Sequence, residues 1–331
     1  MVLTHAESVR DRVRQSAVIR EENGLSILTF HAMGTVCRVS LVEPTRDAAN
    51  AFLDQLLNWV ADFEAKYSRF IESSLVCRIN AAAGKHRVEL DEEAERLFSL
   101  AGEMSFFSRG AFDPTALPLI RLWNWKANPP VVPSDEAIQA ARELVGWNKV
   151  ERSPGRIFLP RSGMCVDLGG IGKEYAVDMA IAMAAQHGLA HVLVDFGQDV
   201  RAMGCPPGRP AWHVGLEDPK APGSSWGSVA VTNQAVATSG DYLRHFVHEG
   251  KRYGHIIDPR TGYPVSNGCL TVSVIAPSCT IAGILTTTAF ILGPHEAFNL
   301  IHGHFYASGA IVTEKGNFIT PRFHEHLVQQ N

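Results

Sequence analysis

An α+β fold with more than one sheet is the architecture this sequence predicts. Three observations predict it: strand-like runs that read as antiparallel, long amphipathic helix patterns interleaved with them, and a stretch from Val200 to Val236 that Pro/Gly loops cut into short strands. No internal repeat is visible.

Residues 1–24 are charged and are expected to form a leader outside the domain. Leu25 to Phe30 and Val36 to Val42 read as paired strands, with HAMGT (His31 to Thr35) supplying a glycine to the turn. From Asp47 to Tyr67, residues Ala51, Phe52, Leu56, Leu57, Val60 and Phe63 recur at helical spacing, so an amphipathic helix is expected. Asp91 to Ser108 repeats the pattern with Leu97, Leu100, Ala101 and Met104 on one face, and Gly110 ends it. Ser134 caps a short helix with an acidic first turn, and Gly146 lies just past its end. Strands are expected over Val150 to Leu159 and Met164 to Leu168, then a helix over Ile171 to His187 and a strand over His191 to Phe196. The last third reads strand, helix, strand: Leu270 to Ala276, Cys279 to Leu292 and Gly309 to Val312. Residues 25–320 are expected to form a single domain of one or two lobes. The Trp- and Pro-rich stretch Leu122 to Pro133 is its surface excursion, and 321–331 are its tail.

Hydrophobic residues make up 46% of the chain and charged residues 19%, without a run of eighteen apolar residues, which predicts a soluble globular protein with no stable membrane insertion. A net charge of −4 gives no field for nucleic acid or an anionic membrane surface, so any phosphate recognition is local. The polar first segment lacks an apolar core with a cleavage site, which reads as a cytoplasmic protein. Six cysteines stand singly, without CxxC or zinc spacing, and read mostly as buried small hydrophobes. His245, His248 and His255 share a segment, but the first two suit a strand and its turn better than a metal triad.

Two stretches carry ionisable residues between glycines and prolines, a composition suited to backbone held close to a polyanion: VDLGGIGKEYAVD (Val166 to Asp178) and YGHIIDPRTG (Tyr253 to Gly262). Lys173 opens a helix just after Gly169, Gly170 and Gly172, so its ammonium and the free N–H groups of the turn can converge on a phosphate. The plainer reading is a solvated lysine at an ordinary helix start. His255 suits phosphate binding or proton acceptance near neutral pH, while Asp258 suits orienting it or capping the turn. The plainer reading there is an Asx-type turn beside a buried histidine. In GAFDPT (Gly110 to Thr115), Phe112 suits stacking on a base and Asp113 capping the next turn. TSGDY (Thr238 to Tyr242) offers Ser239 and Asp241 as polar groups.

In order along the chain, these segments resemble the ApbE family, the FAD:protein FMN transferases. The resemblance runs from HAMGT to FILG at Gly293 and includes SRFIESSLVCRIN, GAFDPT, VDLGGIGK, LVDFGQDVRAMG, WHVGLEDP, VATSGDY and YGHIIDPRTG. It implies an ApbE-like fold of mixed and antiparallel sheets with helices, two-lobed, with the ligand cleft between lobes. It implies transfer of the FMN half of FAD to a threonine of a partner protein with release of AMP. By position, Met33, Gly34, Phe70, Ala111, Phe112 and Asp113 line the flavin and adenine ends. Lys173, Glu174, Ser239, His255 and Ile256 complete the ligand contacts, and Lys173, His255 and Asp258 carry the chemistry. Magnesium would take the Gly170 carbonyl and Thr287. The family's metal-binding aspartate position is Gly283 here, and Glu174 replaces the glycine usual after the lysine, so the magnesium site is expected to be weakened. Glu174 either supplies the missing charge or repels FAD. Gln198 replaces a usual glycine and either narrows the pocket or leaves the backbone as it was. Holding FAD without turnover, and hydrolysing it to FMN and AMP, are the alternative activities.

Overall fold

Alternation of apolar residues builds one large sheet from distant parts of the chain. The computed structural model describes residues 5–42 and 45–328; residues 1–4 of the expected leader and 329–331 of the expected tail lie outside the described residues. Helix α1 (His5–Gln15) precedes the meander β1 (Val18–Glu22), β2 (Leu25–Ala32) and β3 (Thr35–Leu41). Leu28 and Phe30 on β2 and Cys37 and Val39 on β3 are buried beneath α2 (Arg46–Tyr67), which Thr45 caps through the Ala48 amide. The chain continues through α3 (Leu75–Ala81), β4 (Val88–Glu89), α4 (Glu92–Phe107), α5 (Leu117–Leu122) and α6 (Asp135–Arg142), with Ser134 as the cap of α6. A hairpin, β5 (Glu151–Ser153) and β6 (Arg156–Phe158), pairs with β4 as a small separate sheet.

Next come α7 (Gly172–Gln186), β7 (Val192–Phe196), β8 (Val200–Met203), the hairpin β9 (Trp212–Glu217) and β10 (Ser225–Val231), and β11 (Ala235–Gly240). A second hairpin, β12 (His245–His248) and β13 (Lys251–Gly254), leads to β14 (Cys269–Ala276), α8 (Cys279–Leu292), α9 (Pro294–Gly303), β15 (Ser308–Thr313), β16 (Gly316–Ile319) and α10 (Pro321–His324). The main sheet has nine strands in the order β1-β2-β3-β7-β8-β11-β14-β15-β16. One face carries α2, α7, α8 and α9 over the principal core; the other carries β9–β10 and α10 over a second core built from Trp212, Val229, Ile275 and Phe323. A third cluster joins α5, α6 and the β12–β13 hairpin through Leu119, Trp123, Ile138 and Phe246.

The structure departs from the sequence reading in several places. Every strand pairing among the described residues is antiparallel, so the sheets are not mixed. Pro154 and Gly155 split the expected strand over Val150 to Leu159 into β5 and β6. Met164 to Leu168 joins no sheet; the Asn80 side chain takes the place of a neighbouring strand by bonding both the Val166 N–H and its carbonyl. The supposed leader is fastened down, with β1 paired to β2 and α1 packed on α2. The Trp-rich excursion is anchored inward: Trp123 is buried, donates to the Gly262 carbonyl at 2.7 Å and stacks on Tyr253. The tail likewise buries Phe323 and bonds Val328 N–H to Ser228. Among the described residues no helix is long and apolar enough to cross a membrane.

Candidate functional site

The glycine turn before α7 is held from three sides. Asp167 N–H donates to the Pro114 carbonyl at 2.8 Å, and its carboxylate takes Arg69 at 3.1 Å and the Gly169 amide at 3.3 Å. Gly170 lies so close to the GAFDPT strap that an added Cβ would stand 3.1 Å from the Phe112 ring. Phe112 is therefore a buried support of the turn and not a platform offered to a base, which corrects its expected stacking role. Asp113 does cap the next turn: it accepts from the Thr115 N–H and hydroxyl and from the Trp147 amide. Ala111 is buried beside them. The aromatic that faces solvent is Phe70, 84% exposed with the Arg69 guanidinium over its ring. Met33, at the β2–β3 turn, has positive φ and donates its N–H to Glu64, while the Cβ position of Gly34 looks into open space.

α7 starts without a side-chain cap; its Gly172 amide is taken by the Leu168 carbonyl at 2.7 Å, which leaves the Lys173 amide for a ligand or solvent. Lys173, in its first turn, is hydrogen-bonded to the buried Asp199. Burial opposes the lysine charge, but Asp199 and Glu174 outweigh it and hold the ammonium protonated above its usual range. Glu174 is buried, with one oxygen lacking any hydrogen-bond partner among the described residues. Desolvation, then Asp199, pushes its carboxyl up to about 7 against the pull of Lys173.

α8 brings the hydroxyl groups. Thr286 donates to the Gly283 carbonyl at 2.8 Å and Ser239 donates to Thr286 at 2.9 Å. Ser239 has then used its proton, so in its 3.2 Å contact with Thr287 it is Thr287 that donates, leaving the Thr287 lone pairs unused in this chain of bonds. Asp241, just past the end of β11, is buried and gripped by both Arg252 nitrogens at 3.0 and 2.9 Å. Asp241 packs so near Gly254 that an added Cβ there would meet its carboxylate at 2.1 Å; the next residue is His255. The His255 backbone N–H donates to the Arg244 carbonyl, and its ring Nδ1 is buried without a partner among the described residues. Burial, then the Arg244 charge, lowers His255 to about 4, with Asp241 opposing, so the ring is neutral near pH 7. Ile256 packs on the principal core and its carbonyl takes the Val265 amide.

Asp258 does not orient His255. Its carboxylate takes the Arg260 guanidinium at 2.9 and 2.8 Å and the Arg260 amide at 2.9 Å, so it organises its own turn. Arg260 reaches back to the strap, and a cleft of about 470 Å³ between them is lined by Gly110, Asp113, Arg142, Lys149, Pro259 and Arg260. Gln198 has positive φ, donates its N–H to Asp195 and lines a second cleft of about 520 Å³ that also includes Asp195, Glu217 and Tyr242. Asp195 follows Val194 on β7, so this cleft lies on the sheet face opposite α7; Gln198 keeps the glycine-like backbone and does not narrow the α7 side. Sequence reasoning passed over Asp199, Asp167 and Asp178. Their signal was a carboxylate inside otherwise apolar or glycine-rich runs, and each is now seen holding a partner.

Among the described residues no group of three or more His, Cys, Asp or Glu side chains is arranged to hold a metal. Of the oxygens that suit a hard divalent cation, Glu174 keeps one without a partner among the described residues and Thr287 keeps its lone pairs.

Comparison with known proteins decides the family. A family model described as the ApbE family matches residues 33–310. The chain belongs to the ApbE family. Its ApbE relatives include the FAD:protein FMN transferase of Treponema pallidum, 33% identical over 290 residues that cover 81% of this chain and 79% of that protein. Another, from Klebsiella pneumoniae, is 28% identical over 313 residues, 92% of this chain and 89% of that protein. The crystal structure of the ApbE protein of Thermotoga maritima superposes with a TM-score of 0.82 at 32% identity, covering 92% of this chain and 100% of that one. Two of the residues expected above to depart from the family pattern, Glu174 and Gly283, stand against each other in the structure.

Proposed function

We propose that this protein moves the FMN half of FAD onto a threonine hydroxyl of an acceptor protein and releases AMP. The observation that carries the reading is the convergence, on the uncapped start of α7, of the glycine turn, Lys173 and the GAFDPT strap, in a chain of the ApbE family. Lys173, through its backbone amide and its ammonium, binds the diphosphate, and Phe70 covers an aromatic end of FAD. The acceptor hydroxyl oxygen bonds to the FMN-side phosphorus as the bond from that phosphorus to the bridging oxygen breaks, and the bridging oxygen leaves with AMP. Neutral His255 accepts the hydroxyl proton; the dianionic diphosphate beside it raises its basicity above that of the free protein. A divalent cation, held by Glu174, Thr287 and the Gly170 carbonyl, would neutralise charge developing on the phosphates. The six unpaired cysteines, four of them buried, suit a reducing compartment, and the proposal places the protein and its acceptor in the cytoplasm.

Incubation with FAD, Mg2+ and an acceptor domain carrying the target threonine is expected to give a covalently fluorescent acceptor band and stoichiometric AMP. Lys173→Met should abolish both. AMP without labelled acceptor would mark a hydrolase, and FAD binding without AMP a binding protein; either result would overturn the transfer reading.

A further inference from the structure

At position 283 a side chain has no room. A glycine inside a helix costs about 1 kcal/mol against alanine, yet α8 carries one, and a Cβ built on Gly283 would lie 2.6 Å from Glu174 Cγ and 2.9 Å from Glu174 Oε1. Gly283 is therefore what admits the Glu174 side chain between α7 and α8. The carboxylate so admitted is 7% exposed, and its Oε2 has no hydrogen-bond partner among the described residues. The neighbouring cations are engaged elsewhere: Lys173 is bonded to Asp199, and Arg201 to Asp178 at 2.7 Å. A buried carboxylate with an idle oxygen is costly unless something cationic meets it.

One helical turn beyond Gly283, on the same side of α8, Thr287 has given its proton to Ser239 and keeps its lone pairs. Behind Glu174 in sequence, the Gly169–Gly170 turn is held fixed by Phe112 and Asp167. A carboxylate, a hydroxyl and a carbonyl are the donor set of a hard divalent cation.

We infer that Glu174 is the anionic ligand of that cation, its carboxylate approaching from α7 through the space that Gly283 leaves on α8, with Thr287 and the Gly170 carbonyl completing the protein donors. The inference rests on the transferase reading for what the cation does there, but not for its binding. An aspartate placed at 283 would not by itself build a site, because that side chain would collide with Glu174.

Mn2+ titration followed by electron paramagnetic resonance tests it, on the full chain with and without FAD. Wild type is expected to bind Mn2+ saturably, and Glu174→Gln to bind it at least about tenfold more weakly, on the scale by which single site residues change metal affinity. The exchange E174G/G283D should regain the affinity. Glu174→Gln should melt no lower than wild type in EDTA, which separates loss of a ligand from loss of the fold. Wild-type Mn2+ affinity in Glu174→Gln, no saturable binding in wild type, or an exchange variant that melts like wild type without regaining Mn2+ would each overturn the proposal. Flavin fluorescence in EDTA reads FAD binding separately, so a failure of the transferase reading shows there and leaves the Mn2+ result to judge Glu174.

Discussion

His255 shows how one residue couples the site to pH. Its ring is neutral in the folded protein down to about 4, because burial and Arg244 disfavour the cation, whereas in the unfolded chain it protonates near its ordinary value of about 6.5. Between those values the unfolded state binds more protons, so stability is full above the unfolded pKa and falls as pH drops through the window. From about pH 7 to about pH 5 the loss attributable to this ring is on the order of 2 kcal/mol. Urea unfolding at the two pH values should show His255→Gln losing less stability than wild type by that amount; equal losses would refute the assignment. The free enzyme should also keep the proton-accepting form well below pH 6, so the acid limb of kcat/KM set by this group should lie nearer 4. The roles of Phe112 and Asp258 were open at the sequence level for a related reason. Residue type shows that a ring or a carboxylate is available, but only packing shows that Phe112 supports Gly170 and that Asp258 is taken by Arg260.

At the scale of elements, one carboxylate joins α7, α8 and β8. Asp178 accepts from the Cys279 and Thr280 amides and the Thr280 hydroxyl at 2.8, 2.9 and 2.7 Å, and pairs with Arg201 at 2.7 Å. It thereby places a negative charge from α7 at the start of α8 and ties both helices to the sheet. Asp178→Asn keeps the shape but removes the charge and leaves Arg201 without its partner. Chemical denaturation should register a loss of about 2–3 kcal/mol, and FAD titration a weaker affinity as α8 and Thr287 shift against α7. Unchanged stability would show the link to be redundant. The helices themselves were legible because long periodic patterns with caps are local: Arg46–Tyr67, Glu92–Phe107 and Cys279–Leu292 lie within a residue or so of their expected ends. Met164 to Leu168 misled because its apolar residues are buried as a strand's would be, while its backbone partner is a side chain, Asn80, which no periodicity reveals. α3, α5 and α9 were missed because they are short and owe their form to packing rather than to a repeated apolar face. The contact of Glu174 with Gly283 joins residues more than a hundred positions apart; the sequence singled out both residues but not that they meet.

For the molecule as a whole, the charged first segment is part of what shapes the ligand side of the sheet. α1 buries Val9 and Val13 against α2, and its arginines reach Asp62, Glu64 and Asp54 of that helix. The exposed pairs with Asp62 and Asp54 add little to stability, but Glu64 is shielded and also accepts the Met33 N–H at 2.8 Å, while Ser16 receives the His31 N–H at 2.9 Å. The segment thus holds the β2–β3 turn, with Met33 in its left-handed conformation, at the edge assigned to FAD. Removing residues 1–16 exposes the apolar patch that the two valines cover, at a cost of about 3 kcal/mol, and frees Glu64 and the His31 amide. The truncated protein should melt lower and bind FAD more weakly, and restoring the melting temperature with a stabilising osmolyte should leave the weaker FAD binding in place. An R12A variant separates the two effects: it keeps Val9 and Val13 buried, so its melting temperature should change little while its FAD affinity falls. If R12A binds FAD as wild type does, the segment serves the fold alone and the Met33 turn needs no support from it.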